Sequence, residues 1–115
     1  MANVFKLRTK DGGSTGANTD MTIYTVPGGT TTVVIGCTIA NTTASAITID
    51  AKIFTASSSG ENADDVHIGV NLPVPTGSSL DILAGKIVME TGDVLKIQSD
   101  TANSTQIALS IMEQT

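Results

Sequence analysis

In the last third of this 115-residue chain, short alternations of apolar and polar residues are separated by turn residues. That pattern limits the possible folds more than any other feature. Leu80 and Ile82, Ile87 and Met89, Leu95 and Ile97, then Ile107, Leu109 and Ile111 recur at two-residue spacing within their segments. A period of two is that of a strand with one face buried. The intervening Ala84-Gly85, Thr91-Gly92-Asp93 and residues 99–104 are turn chemistry. A chain that gives its end to tight sheet geometry, with no reactive residue in it, reads as a building block rather than a catalyst.

The same period extends upstream. Thr22–Val26 and Thr31–Asn41 read as strands, and Pro27-Gly28-Gly29 between them is a hairpin signal. Ala46–Phe54 alternates most clearly, with Ile47, Ile49, Ala51 and Ile53 on one face and Thr48, Asp50 and Lys52 on the other. After a polar loop over 55–64, Asp65–Leu72 places Val66, Ile68, Val70 and Leu72 inward. Pro73-Val74-Pro75 is excluded from a central strand because proline lacks a ladder donor. Leu80–Leu83, Lys86–Glu90, Val94–Ser99 and Thr105–Glu113 complete about eight short strands. No helical period is present. The expected fold is all-β, an antiparallel sandwich or jelly-roll-like barrel, because a single sheet would leave one face and two edges uncovered.

Residues are 40% hydrophobic but only 3% aromatic, with no Trp, so Ile, Val, Leu, Met and Ala must build the core. One domain of this length buries a sizeable core. The expected division is a compact domain over 21–115, preceded by an N-terminal arm and flexible leader over 1–20. Within the arm, Val4-Phe5-Lys6-Leu7-Arg8 is either an edge strand or a segment that orders only on a partner.

Net charge is −5, unevenly spread. Lys6, Arg8 and Lys10 make the first ten residues basic, and the remainder is acidic. A basic arm on an acidic body suits docking onto an acidic protein surface or another copy of the chain. An acidic body without an aromatic platform argues against nucleic acid. No segment approaches a membrane span, and the N-terminus lacks a signal-peptide pattern, so synthesis in the cytoplasm is expected.

Reactive constellations are sparse. Cys37 is the sole cysteine and shares parity with Val33, Ile35 and Ile39, which reads as a small buried hydrophobe. His67 is the sole histidine; Asp64, Asp65 and Ser57–Ser59 lie near it in sequence, a commonplace loop composition. Glu61, Asp64 and Asp65 form an acidic cluster without the spacing of a calcium loop. Asp11-Gly12-Gly13-Ser14-Thr15-Gly16 lacks the Gly-Lys-Ser/Thr of a phosphate loop. A sugar site would rest on Tyr24, the sole tyrosine. The expectation is therefore no enzyme, no catalytic residue, no metal and no cofactor.

Several segments resemble small virion structural proteins of tailed bacteriophages, especially phages of marine bacteria. They are Thr22–Pro27, Val34–Thr43, Leu72–Leu80 and Gly85–Lys96, with the closing Ser99–Ala102 and Leu109–Glu113. The likeness spans roughly residues 21–113. It implies a β-sandwich subunit of the head, neck or tail and carries over no enzymatic residue. The leading expectation is a decoration (cement) protein on the outer capsid, a trimer or other small oligomer bound to the major capsid protein. A neck or tail adaptor and a carbohydrate-binding module for host adsorption are the alternatives. Val4, Phe5, Lys6, Leu7 and Arg8 are the expected partner contact, because Phe5 and Leu7 share one face of an extended segment and need cover.

Overall fold

The structure, a computed structural model, describes residues 2–12, 16–55, 65–83 and 85–115. Among these, nine strands form two antiparallel sheets. They are β1 (Asn3–Asp11), β2 (Met21–Thr25), β3 (Thr31–Asn41), β4 (Ile47–Phe54), β5 (Val66–Val74), β6 (Ser79–Asp81), β7 (Ile87–Met89), β8 (Val94–Ser99) and β9 (Thr105–Gln114). One sheet runs β1-β9-β3, with β6 and β7 sharing the far edge of β3; the other runs β2-β8-β4-β5. The fold is an antiparallel β-sandwich.

The core lies between the sheets. Ile107, Leu109 and Ile111 from β9 and Cys37 and Ile39 from β3 meet Ile47, Ile49, Leu95 and Ile97 from the opposite sheet, all at most 2% exposed. Alternation along β4, β8 and β9 aims these side chains inward, as their two-residue period requires. Each such side chain stabilises the fold by about 1.5–3 kcal/mol through burial.

The residues before Met21 include a strand of the sandwich. β1 pairs with β9 from Asn3↔Gln114 to Asp11↔Gln106, so Val4–Arg8 is an edge strand here. The hairpin expected between β2 and β3 does not form. β2 pairs with β8 in one sheet while β3 pairs with β9 in the other, so Pro27-Gly28-Gly29 is a corner between sheets. The end of β2 is held by the β7–β8 turn instead, through Val26 N to Asp93 O (3.0 Å) and Gly92 N to Val26 O (3.0 Å). Gly92 sits at φ 85°, a conformation that disfavours any side chain. Among the described strands, only β4 and β5 are both consecutive in sequence and paired.

Two faces also depart from simple alternation. A bulge between Val34 and Gly36 inserts one residue into β3 opposite β9. Before it Thr32 and Val34 point inward; after it Cys37 and Ile39 do. Cys37 therefore keeps its expected burial but not its expected company: Val33 lies on the outer face, and Ile35 is 40% exposed. In β5, irregular register against β4 and a positive φ at Asn71 turn Val70 outward, while Ile68 and Leu72 pack against the core; Val66, opposite Ile53 at the end of the strand, is 50% exposed and so not buried as expected. Pro73 is tolerated because β5 is an edge strand.

Candidate functional site

The expected contact segment, Val4–Arg8, lies on β1, at one edge of the larger sheet. Its register on β9 decides which way each side chain faces. Phe5 is opposite Met112 and Leu7 opposite Ser110, on the outer face, where they are 73% and 61% exposed. Val4, Lys6 and Arg8 have the other parity, that of Glu113, Ile111 and Leu109. Val4 and Arg8 are exposed there, and the Arg8 Nη1 donates to Leu7 O at 3.2 Å. The structure thus brings the five residues together on one strand but divides them between two faces.

Lys6 is the member that turns toward the core. Its ammonium ion-pairs with Oε1 of Glu113, whose side chain is 7% exposed. The other carboxylate oxygen of Glu113 accepts from the hydroxyl of Tyr24, and that hydroxyl lies 2.8 Å from Thr32 Oγ1. Four strands, β1, β2, β3 and β9, are joined at this point, and β2 belongs to the opposite sheet. The Lys6 ammonium, then the Tyr24 hydroxyl, hold the Glu113 carboxyl below the usual carboxylate range despite its burial. Burial first, then the bond to Glu113, pushes the Tyr24 phenol up to about 12. The carboxylate is thus charged and the phenol neutral over the ordinary pH range. Neither the carboxyl nor the phenol is poised to exchange a proton near neutrality, and the pair is suited to anchoring β1.

The sequence carried a signal for this anchor that composition alone obscures. Glu113 continues the inward parity of Ile107, Leu109 and Ile111, and a carboxylate at a core position requires partners.

Other candidate residues are dispersed. Tyr24 is 7% exposed, so its ring offers no stacking platform for a sugar. Cys37 is fully buried, and burial, aided by Asp81, pushes its thiol up to about 12. A thiol in that state is a poor nucleophile. His67 is exposed on β5 opposite Lys52. Glu61, Asp64 and Ser57–Ser59 lie outside the described residues, while Asp65 accepts from Thr55 N at 2.8 Å. Of the glycine-rich stretch, residues 13–15 also lie outside. Gly12 is buried against Thr105, where a Cβ would meet Oγ1 at 2.7 Å and the carbonyl oxygen at 2.8 Å, so close packing accounts for this glycine. Among the described residues, no three His, Cys, Asp or Glu side chains gather as metal ligands, and no helix is long and apolar enough to cross a membrane.

No family model matches the chain, and no curated protein matches it. Among solved structures it is similar to a protein from work on Bacillus endospore appendages, described there as a family of disulfide-linked pili. The TM-score is 0.46 with 18% identity, over 96% of this chain and 85% of that one. At that level the likeness carries no argument about function.

Proposed function

We propose that this chain is a non-enzymatic structural subunit of a tailed-phage virion, acting as a decoration protein on the outer capsid. The observation that carries the reading is β1. It is nine residues long, lies at the edge of the sheet, and presents Val4, Phe5, Leu7 and Arg8 to solvent. Such an edge invites another chain to add a strand, gaining main-chain hydrogen bonds, while exposed apolar side chains gain burial. The resemblance of residues 21–113 to small phage virion proteins supplies the partner class. The mechanism is associative. Segment Val4–Arg8 engages the major capsid protein, and opening the shell then requires breaking these contacts at every copy. The Lys6–Glu113 anchor contributes by holding β1 in place before the partner arrives, which lowers the ordering entropy of binding.

Immunogold labelling of intact particles tests the placement. Gold over the whole head supports decoration. Gold confined to one vertex or to the tail replaces decoration with a neck or tail adaptor. Absence of the protein from both intact and disrupted particles removes the virion role. Within the decoration reading, the double substitution Val4→Asp with Arg8→Glu should weaken capsid binding while preserving the fold. Unchanged binding would relocate the contact away from β1.

A further inference from the structure

The two outer faces of the sandwich differ in kind. On the β2-β8-β4-β5 sheet the outward positions include Lys96, Lys52 and Asp50, and Lys52 pairs with Asp20 at 2.9 Å. On the other sheet, the outward positions of β1, β9 and β3 hold no Lys, Arg, His or Glu. Charges occur at the margins, as Asp11 at the end of β1, Asp81 on β6 and the exposed Lys86 and Glu90 on either side of β7. In an acidic chain such a face is where two copies can meet without burying like charges.

Its relief is ordered by row. Phe5, Met112, Val33 and Val88 pair successively across four strands and form one apolar row. Phe5 and Val88 are 73% and 62% exposed, so this row stands open to water. The next row is Leu7, Ser110 and Gly36, beside the bulged Ile35. Beyond it come Thr9, Ala108 and Thr38, with Asp81 at the far margin; the short side chains leave a depression of about 410 Å³ that continues to Gln106 and Ala40 and is bounded at the β1 edge by Lys10 and Asp11.

We propose that this face is the contact between two copies of the chain, packed sheet on sheet about a two-fold axis. The axis lies in the interface and crosses the strands at the level of Leu7, Ser110 and Gly36. It sets Phe5 over the partner's Thr9, Met112 over the partner's Ala108 and Val33 over the partner's Thr38, and at the margin brings Val88 beside the partner's Asp81. Along β1, β9 and β3 each large side chain meets a small one, and that part of each copy's apolar row enters the other's depression. That is the self-complementarity an isologous contact requires. The size fits as well. β9 has ten residues at about 3.4 Å each, and four strand widths of about 4.8 Å, the fourth shared by the short β6 and β7, give at most roughly 650 Å² in plan. Side-chain relief brings the accessible area toward the about 800 Å² per partner of a standard specific interface. Phe5 and Leu7 are then covered by the second copy, which narrows the shell contact proposed above to the main-chain edge of β1 with Val4 and Arg8. The inference concerns the isolated protein and stands or falls apart from the virion reading.

Sedimentation equilibrium of the full chain, with two variants, tests it. The unsubstituted protein should form a dimer or a multiple of one. Ser110 is exposed at the axis, so Ser110→Arg sets two cations against each other and should weaken self-association about 100-fold or more. Thr22→Arg, on the opposite sheet, should leave it unchanged. Ser110→Cys should be joined into a covalent dimer by a short bis-maleimide, and Thr22→Cys should not; the buried Cys37 does not compete. A chain that stays monomeric at high concentration overturns the proposal and assigns the face to a different protein. Self-association that survives Ser110→Arg, with no cross-link through Ser110→Cys, overturns it in favour of the β1 edge.

Discussion

Removal of one oxygen atom tests how β1 is anchored. In Tyr24→Phe the ring keeps its place, but Glu113 loses a hydroxyl donor and Thr32 loses its bond to the phenol oxygen. A hydrogen bond to a charged group contributes about 1.5–3 kcal/mol, and a neutral one about 0.5–1.5 kcal/mol. Glu113 retains Lys6 and Thr32 can reorient, so the expected loss is about 2–3 kcal/mol, read by urea denaturation at neutral pH. The pH dependence provides a second measure. Tyr24 titrates at 10.0 when unperturbed and at about 12 in the fold. Its contribution is therefore complete below pH 10 and is lost as pH rises through about 12. Burial is the first cause of that rise and the bond to Glu113 the second, so the titration reports the phenol's enclosure together with its bond. Because Tyr24 is the only tyrosine, the phenolate absorbance of the whole protein reports this one group. A stability change under about 0.5 kcal/mol, the size of an ordinary surface substitution, would refute the reasoning. An unshifted phenolate titration in the folded protein would do the same. Combined with Lys6→Met, the two substitutions should fall short of or exceed additivity by about 0.5–3 kcal/mol, because they share Glu113.

Acid should act through the same carboxylate from the other side. Glu113 is depressed in the fold, so its contribution is present above the ordinary value of 4.5 and lost as pH falls through its lower folded value. Urea midpoints across that range should fall less steeply in Glu113→Gln than in the unsubstituted protein. Gly12→Ala should cost about 1–3 kcal/mol by forcing Thr105 away, which thermal unfolding detects. Cys37→Ser puts a hydroxyl in an apolar site and should cost about 1–3 kcal/mol by denaturant titration. In the native protein Cys37 should resist alkylation by iodoacetamide and react promptly after unfolding.

Some of this was legible from local pattern, and some was not. The strands β4, β8 and β9 follow from alternation because a strand's side-chain period is a property of its own backbone. The turn at Thr91-Gly92-Asp93 was readable because glycine accepts its positive φ. The bulges in β3 and β5 were not, since each shifts the phase of one strand to suit its neighbour. They explain why Val33, Ile35 and Val70 face outward despite apolar parity. The exposure of Phe5 and Leu7 on an extended segment was readable, but their alignment with Met112, Val33 and Val88 needed the register of four strands.

By itself the sequence determined an all-β chain with an aliphatic core, short strands and tight turns, because periodicity and turn chemistry act over a few residues. It also set the contrast between a basic first segment and an acidic remainder. Only the tertiary structure decided which strands are neighbours, and so that Asn3 pairs with Gln114 and β2 parts from β3 into the opposite sheet. Those pairings join residues far apart in the chain, and several partners satisfy the same alternation; the choice falls to the packing of the whole sandwich. The Lys6–Glu113–Tyr24 anchor and the outer face whose charges are confined to its margins both follow from that choice, because each combines side chains from strands at opposite ends of the chain.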